Sequence, residues 1–137
     1  MGLILDSSVL ITAERQGQNA RQMLSAIARV AGDVQVGLSV VTVIELAHGA
    51  ARADTAARRL KRQQFIEELL AALPVHPVTV AVALRVGQID GENQARGVRL
   101  PLADLLIGVT ALELDSSVAT RNLRHFQQIP GLSVISL

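Results

Sequence analysis

Short apolar runs alternate with longer segments of helical periodicity along the whole chain, and this alternation limits the folds open to it. The first run, Leu3–Leu5, is apolar at every position and stops at Asp6, which is typical of a strand buried on both faces. Further strand candidates are Val34–Leu38, a short extended piece between Pro74 and Pro77, Ser117–Ala119 and Leu132–Ile135. Strands that alternate with helices predict an α/β domain with a mostly parallel sheet between helices.

Helical segments fill the intervals between these runs. The polar residues Asp6–Ser8 supply N-cap chemistry for a helix through Val9, Leu10 and Ile11. The valines of Thr79–Leu84 favour a strand when taken alone, but the continuation to Arg96 favours a helix, and we predict a helix there. The other predicted helices run from about Gln18 to Val30, onward from Ser39 or Thr42, from Thr55 to about Leu73, onward from Pro101, and from Asn122 to Phe126.

The size and composition of the chain suit one domain, which we place at residues 1–137, with a core of aliphatic residues. Phe65 and Phe126 are the only aromatic residues, so stacking platforms for single-stranded nucleic acid are missing, and any bound RNA would be held by charge and shape. The net charge of +1 indicates no general attraction to polyanions.

Several classes of chemistry are excluded by what the sequence lacks. The absence of cysteine rules out disulfides, thiolate nucleophiles and cysteine-bound zinc, and it fits a reducing compartment. No basic leader precedes Leu3, and no uncharged apolar stretch is long enough to span a membrane. We therefore expect a cytoplasmic protein.

Three acids follow predicted elements at places where a parallel sheet forms its sites. Asp6 comes directly after the first strand, Glu45 lies in the helix after the second, and Asp104 opens the helix after Pro101. Apolar neighbours surround each acid, and a buried carboxylate calls for a compensating cation. Carboxylates without a Cys or His cluster suit Mg²⁺ or Mn²⁺. Taken singly, Asp6 and Asp104 could be helix caps and Glu45 an ordinary helix residue.

The segments that carry these acids resemble the PIN-domain family, and in particular its VapC-type toxin ribonucleases of type II toxin–antitoxin systems. Four motifs carry the resemblance, in the family's order and across nearly the whole chain: Leu3–Ile11, Ser39–Gly49, Pro101–Gly108 and Ala119–Phe126.

The resemblance implies a three-layer α/β/α sandwich around a mostly parallel sheet of about five strands. It also implies an endoribonuclease that depends on Mg²⁺ or Mn²⁺, forms a homodimer and is blocked by a cognate antitoxin, with DNA contacted only through the antitoxin. Structured RNAs such as tRNA or rRNA are the implied substrates. By motif match, Asp6, Glu45 and Asp104 are the catalytic and metal-binding acids, and Ser8 and Thr120 support the metal site.

The fourth motif departs from the family's pattern. Many members carry a fourth acid where this chain has Asn122. An asparagine can bind a metal through its carbonyl oxygen or hold a metal-bound water, but it adds no charge. Asp115 is the other candidate, and we prefer Asn122 as the fourth catalytic residue because it matches the motif.

Other polar residues have two open interpretations. His125 could lie near the site or at the surface, and Glu45 with His48 has a spacing seen in di-iron sites but occurs only once. The densest basic cluster is Arg52, Arg58, Arg59, Lys61 and Arg62, for which a solvated helix face is the default and phosphate contact the alternative.

Two other function classes remain possible from the sequence. A haloacid-dehalogenase-like phosphotransferase also opens with a strand that ends in Asp, but it needs a second Asp where this chain has Ser8. A non-catalytic interaction domain with an acidic pocket would bind metal without hydrolysing anything.

Overall fold

The computed structural model describes residues 2–137, and within this range five strands form one sheet. The strands are β1 (Gly2–Leu5), β2 (Gln35–Ser39), β3 (Val75–His76), β4 (Ser117–Thr120) and β5 (Val134–Ser136). Their order across the sheet is β3-β2-β1-β4-β5, and every pair is parallel. The predicted parallel sheet of about five strands is confirmed.

Seven helices connect these strands within residues 2–137. They are α1 (Ser7–Arg15), α2 (Ala20–Ala31), α3 (Val40–Ala51), α4 (Ala56–Ala72), α5 (Val80–Ala95), α6 (Leu102–Glu113) and α7 (Leu123–Phe126). The valine-rich segment is helical, as predicted, because the Thr79 hydroxyl accepts a hydrogen bond from the Val82 N–H and caps α5.

Helices cover both faces of the sheet. Along β1, Leu3 and Leu5 belong to one core while Ile4 belongs to the other, since successive side chains of a strand point to opposite faces. The first core includes buried residues of α1, α2 and α4, and the second includes buried residues of α5, α6 and α7. The architecture is therefore the predicted three-layer sandwich.

The order of the strands changes direction at β1. The chain runs outward through β2 and β3 on one side, and then returns to place β4 and β5 on the other. Open parallel sheets bind ligands in the crevice at the carboxyl ends of the strands, where the strand order reverses. Leu5 pairs with Ala119 at this point, so Asp6 and Thr120 flank the crevice.

Among residues 2–137, no helix is long and apolar enough to cross a lipid bilayer.

Candidate functional site

Asp6 is the fixed centre of the site. Its backbone N–H donates to the Ala119 carbonyl oxygen at 2.9 Å, which continues the β1–β4 ladder one residue past the strand. Asp6 occupies the N-cap position of α1, yet among the described residues its side chain makes no capping hydrogen bond. Its Oδ2 instead accepts from the Ser8 hydroxyl at 2.6 Å and from the Thr120 hydroxyl at 2.9 Å. The buried carboxylate is thus held in place for something other than capping.

The two hydroxyl groups are themselves oriented by the backbone. Ser8 Oγ accepts from the Arg121 N–H at 3.0 Å, and Thr120 Oγ1 accepts from the Asn122 N–H at 2.8 Å. Each hydroxyl has one proton, and that proton is used on Asp6. Ser8 and Thr120 therefore fix the orientation of the Asp6 carboxylate.

Glu45 approaches the site from α3, which starts where the Ser39 hydroxyl accepts from the Val41 N–H at 3.1 Å. The Glu45 side chain is half-buried, and its Oε1 is buried without a hydrogen-bond partner among residues 2–137. Burial raises the pKa of Glu45, the Ser7 hydroxyl opposes this in part, and the charges of Asp6 and Asp104 raise it further. Glu45 is therefore a carboxyl group whose charge is poorly compensated by the chain itself.

Asp104 lies in the first turn of α6 without acting as its cap, since Pro101 occupies the N-cap position. Its Oδ2 lies 2.6 Å from Nδ1 of His125, which belongs to α7. Burial raises the pKa of Asp104, the hydrogen bond with His125 opposes this, and the charge of Asp6 raises it further. The carboxyl groups of Asp6, Glu45 and Asp104 thus influence one another at the same edge of the sheet.

The three acids do not form a finished metal cage. Within residues 2–137, no three Asp, Glu or His side chains are grouped closely enough to hold one ion as they stand. Repulsion between like charges in a partly buried site opposes closer approach of the three carboxylates when no cation is bound.

The two candidates for the fourth position lie at opposite ends of β4. Asn122 follows the carboxyl end of the strand, on the side of Asp6, while Asp115 precedes its amino end. Asp115 adopts a left-handed backbone conformation with φ of 51°, which suits a turn between α6 and β4. The structure brings Asn122 to the site region and keeps Asp115 away from it.

His125 is the residue whose place the sequence left open. It contacts Asp104, and the Asn122 amide lies 3.2 Å from the same ring nitrogen. The spacing of Asn122 and His125 indicated that these two residues lie close together, because residues three apart share a helix face. Nothing in the sequence, however, identified Asp104 as the residue opposite that face.

The basic cluster has mainly structural partners. Arg58 forms an exposed ion pair with Asp54 at 2.9 Å, and Arg62 donates to the Gly49 carbonyl oxygen at 2.8 Å. Arg59 donates to the Ala51 carbonyl oxygen at 3.3 Å. Arg59 and Arg62 thus satisfy carbonyl groups at the end of α3, where cations are also favoured by the helix dipole.

Comparison with known protein families identifies the family to which this chain belongs. The family described as PIN domain matches residues 3–132, which is almost the whole chain. The chain belongs to the PIN-domain family.

Within that family, the similarity is to VapC proteins. The chain is 34% identical over 130 residues to ribonuclease VapC10 of Mycobacterium tuberculosis, covering 95% of this chain and 90% of the relative. It is 30% identical over 97 residues to the tRNA(fMet)-specific endonuclease VapC of Salmonella typhimurium, covering 71% of each. Among solved structures, VapBC2 from Rickettsia felis bound to a promoter DNA fragment shares the fold, with a TM-score of 0.85, 18% identity, and coverage of 100% of this chain and 99% of that chain.

Proposed function

We propose that this chain is a metal-dependent endoribonuclease, the toxin of a toxin–antitoxin pair, which hydrolyses RNA phosphodiester bonds. The observation that carries the proposal is the buried Asp6, held by two hydroxyl groups at the switch point of the sheet, with Glu45 and Asp104 beside it. Membership of the PIN-domain family and similarity to proteins named ribonuclease support the same reaction class.

The donor set fits a hard divalent cation, Mg²⁺ or Mn²⁺. Glu45 Oε1 is buried without a partner among residues 2–137, and such an oxygen is costly unless a cation or donor compensates it. Asp6, Glu45 and Asp104 would hold the ion, with Asn122 as the fourth, uncharged residue. A bound ion would supply a Lewis acid for the phosphoryl group and lower the pKa of water at the site.

The protein's own residues have separable tasks in this scheme. Ser8 and Thr120 both donate to Oδ2 of Asp6 and so orient that carboxylate before substrate binds. The exposed Arg124, on α7 beside His125, would contact a backbone phosphate of the RNA in this scheme. Phosphate contacts would make RNA binding weaken as the salt concentration rises.

Cleavage in the presence and absence of metal tests the proposal directly. Purified protein without antitoxin should cleave RNA with Mg²⁺ or Mn²⁺ and stop when EDTA is added. Asp6→Asn should remove the activity, and Asp33→Asn, at an exposed position before β2, should retain it. Equal cleavage in EDTA would contradict the metal-dependent mechanism and favour a function without hydrolytic metal chemistry.

Transfer RNA is the substrate class we propose, because the Salmonella relative is named a tRNA(fMet)-specific endonuclease. A pool of total tRNA and a pool of ribosomal RNA, offered at equal nucleotide concentration, would separate the two structured substrates. Cleavage confined to the ribosomal pool would reject tRNA while leaving the endoribonuclease proposal intact.

A groove beside Glu45 supports an antitoxin as partner. It runs between α1, α3 and α4, and its lining includes Leu10, Ile11, Leu46, Phe65 and Ile66 together with Glu45. A partner segment with apolar side chains and one cation would fill this groove and compensate the unpartnered oxygen of Glu45. We propose that the antitoxin binds there and blocks the site.

A charge introduced into the groove tests this assignment. Ile66→Glu should weaken antitoxin binding while RNA cleavage by the free protein persists. Leu70→Glu, one turn further along α4 at an exposed position, is the control and should bind antitoxin normally. Equal binding by both variants would place the antitoxin elsewhere.

We also propose a homodimer, supported by apolar side chains that α5 leaves in solvent. Val80 and Leu84 lie one turn apart and are 76% and 72% exposed. Leu84→Lys should convert a dimer into a monomer in light-scattering measurements on the purified protein, and a wild-type monomer would reject the proposal.

A further inference from the structure

The contact between His125 and Asp104 joins the fourth sequence motif to the third. His125 Nδ1 lies 2.6 Å from Oδ2 of Asp104, and the two side chains are 34% and 15% exposed. A distance this short between a ring nitrogen and a carboxylate oxygen is that of a charge-assisted or strongly polarised hydrogen bond. His125 therefore binds Oδ2 of Asp104 rather than Oδ1.

The proton in this contact can be placed from the donor inventory. An ionised carboxylate only accepts, so Nδ1 of His125 carries the proton whenever Asp104 is charged. Nδ1 then cannot accept a hydrogen bond from the Asn122 amide, which lies 3.2 Å away. The ring is thus committed to Asp104 and leaves the amide of Asn122 free to face another group.

The packing of α7 holds His125 at this distance. The neighbouring Phe126 is fully buried, and Ile129 just beyond it is almost fully buried. Both contact α6 next to Gly108, where an added Cβ would lie 2.5 Å from Cδ1 of Ile129. Since α6 carries Asp104, the close approach of the two segments sets the His125–Asp104 separation.

The free oxygen of Asp104 completes the arrangement. Oδ1 makes no hydrogen bond to any of residues 2–137, whereas Oδ2 is held by His125. A side chain that binds one oxygen of a carboxylate orients the other oxygen. Residues that hydrogen-bond to metal ligands raise metal affinity in this way.

We propose that His125 is a positioning residue: its Nδ1–H holds Oδ2 of Asp104 so that Oδ1 faces a divalent cation shared with Asp6 and Glu45. This inference rests on the proposed metal-dependent function. It assigns to His125 a role in metal affinity through Asp104, without contact to the cation.

Binding of Mn²⁺ to the antitoxin-free protein tests the proposal without measuring cleavage. His125→Ala should weaken the Kd for Mn²⁺, measured by electron paramagnetic resonance, by about tenfold or more. His125→Asn places an amide nitrogen near the Nδ1 position and should recover most of the affinity. His125→Gln extends its nitrogen toward the Nε2 position and should not recover it.

The controls separate failure of this inference from failure of the proposed function. Wild-type protein that binds no Mn²⁺, or binds it equally with Asp104→Asn, would overturn the proposed metal site and His125's role with it. Binding by wild type that is unchanged or tighter in His125→Ala would overturn only the role of His125. Equal recovery by Asn and Gln would also overturn it, because a general packing role would then explain the loss. Thermal melts of all four variants establish that they are folded.

Discussion

The hydroxyl group of Thr120 donates to Oδ2 of Asp6 over 2.9 Å and so links the carboxyl ends of two adjacent strands, β4 and β1. The same hydroxyl accepts from the Asn122 N–H, so one buried atom orients both the central acid and the start of the fourth motif.

Thr120→Val should therefore impair both stability and cleavage. Valine keeps the shape and the strand preference, but it leaves the Asn122 N–H without its acceptor and Asp6 without one donor. We expect a loss of about 1–3 kcal/mol in the free energy of unfolding and a marked loss of RNA cleavage. Thr110→Val is the control: that buried hydroxyl bonds only to the Leu106 carbonyl within α6, so it should lose stability alone. Full activity in Thr120→Val would show that Asp6 needs no such support.

The half-buried carboxyl group of Glu45, whose Oε1 has no hydrogen-bond partner among residues 2–137, predicts an unusual pH dependence for metal-free protein. Its folded-state pKa is raised above the ordinary value of 4.5, mainly by burial, so the folded state binds this proton more tightly than the unfolded state does. The contribution of Glu45 to stability therefore falls as the pH rises through the window above 4.5.

Glu45→Gln removes this titration. In EDTA, the variant should be more stable than wild type at about pH 7, and the difference should shrink at about pH 5. Chemical denaturation of both proteins at the two pH values measures it. A difference that grows as the pH falls would mean that the charged form of Glu45 is the stabilised one.

Asp104→Asn should abolish RNA cleavage without lowering the stability of the metal-free protein. It removes one charge from the acidic group at nearly constant shape, and burial already disfavours that charge. We expect cleavage to be lost while the metal-free variant melts at the wild-type temperature or a few degrees higher.

Added Mg²⁺ completes that comparison. At about 100 times its Kd, a ligand that binds only the folded state stabilises it by about 2.7 kcal/mol. The wild-type protein and the control Asp115→Asn should both gain this stabilisation, and Asp104→Asn should gain less. An equal thermal shift in all three proteins would assign the Mg²⁺ effect to another site.

Two glycines in helices should respond in opposite ways to alanine. At Gly108 the added Cβ would meet atoms of the buried Ile129 and Phe126 and of the half-buried Leu132, so overpacking should cost about 1–3 kcal/mol of stability. At Gly87, exposed on α5, nothing lies within 4 Å, and alanine should stabilise by about 0.4–1 kcal/mol. Melting both variants checks the pair, and stabilisation by Gly108→Ala would mean that Ile129 moves aside freely.

The order of elements could be predicted because each strand reads as a short apolar run bounded by polar or Pro residues. The buried faces of the helices are harder to predict from the sequence. Leu60 recurs with Phe65 and Leu69 at apolar spacings of five and four residues, yet it is 56% exposed, because five residues of helix turn a side chain about 140° away from the face of Phe65. Apolar spacing therefore identifies α4 as a helix but does not show that Leu60 lies outside its buried face.

The site was predictable only in part. The acids could be named from motifs that place them after strands, and the structure brings Asp6, Glu45 and Asp104 to one edge of the sheet. The contact of His125 with Asp104 joins residues 21 apart that no local pattern relates. Such a contact depends on how closely α6 and α7 pack. That distance is set by the absence of a side chain at Gly108 and by the burial of Phe126.

The central position of β1 has a consequence for how the protein is made. β1 is synthesised long before β4, with which it must pair and whose first residue is Ser117. Until β4 has been made, one side of β1 has no neighbour, and Asp6 lacks the hydroxyl of Thr120. A chain that stops before Thr120 therefore cannot hold Asp6 as the folded protein does.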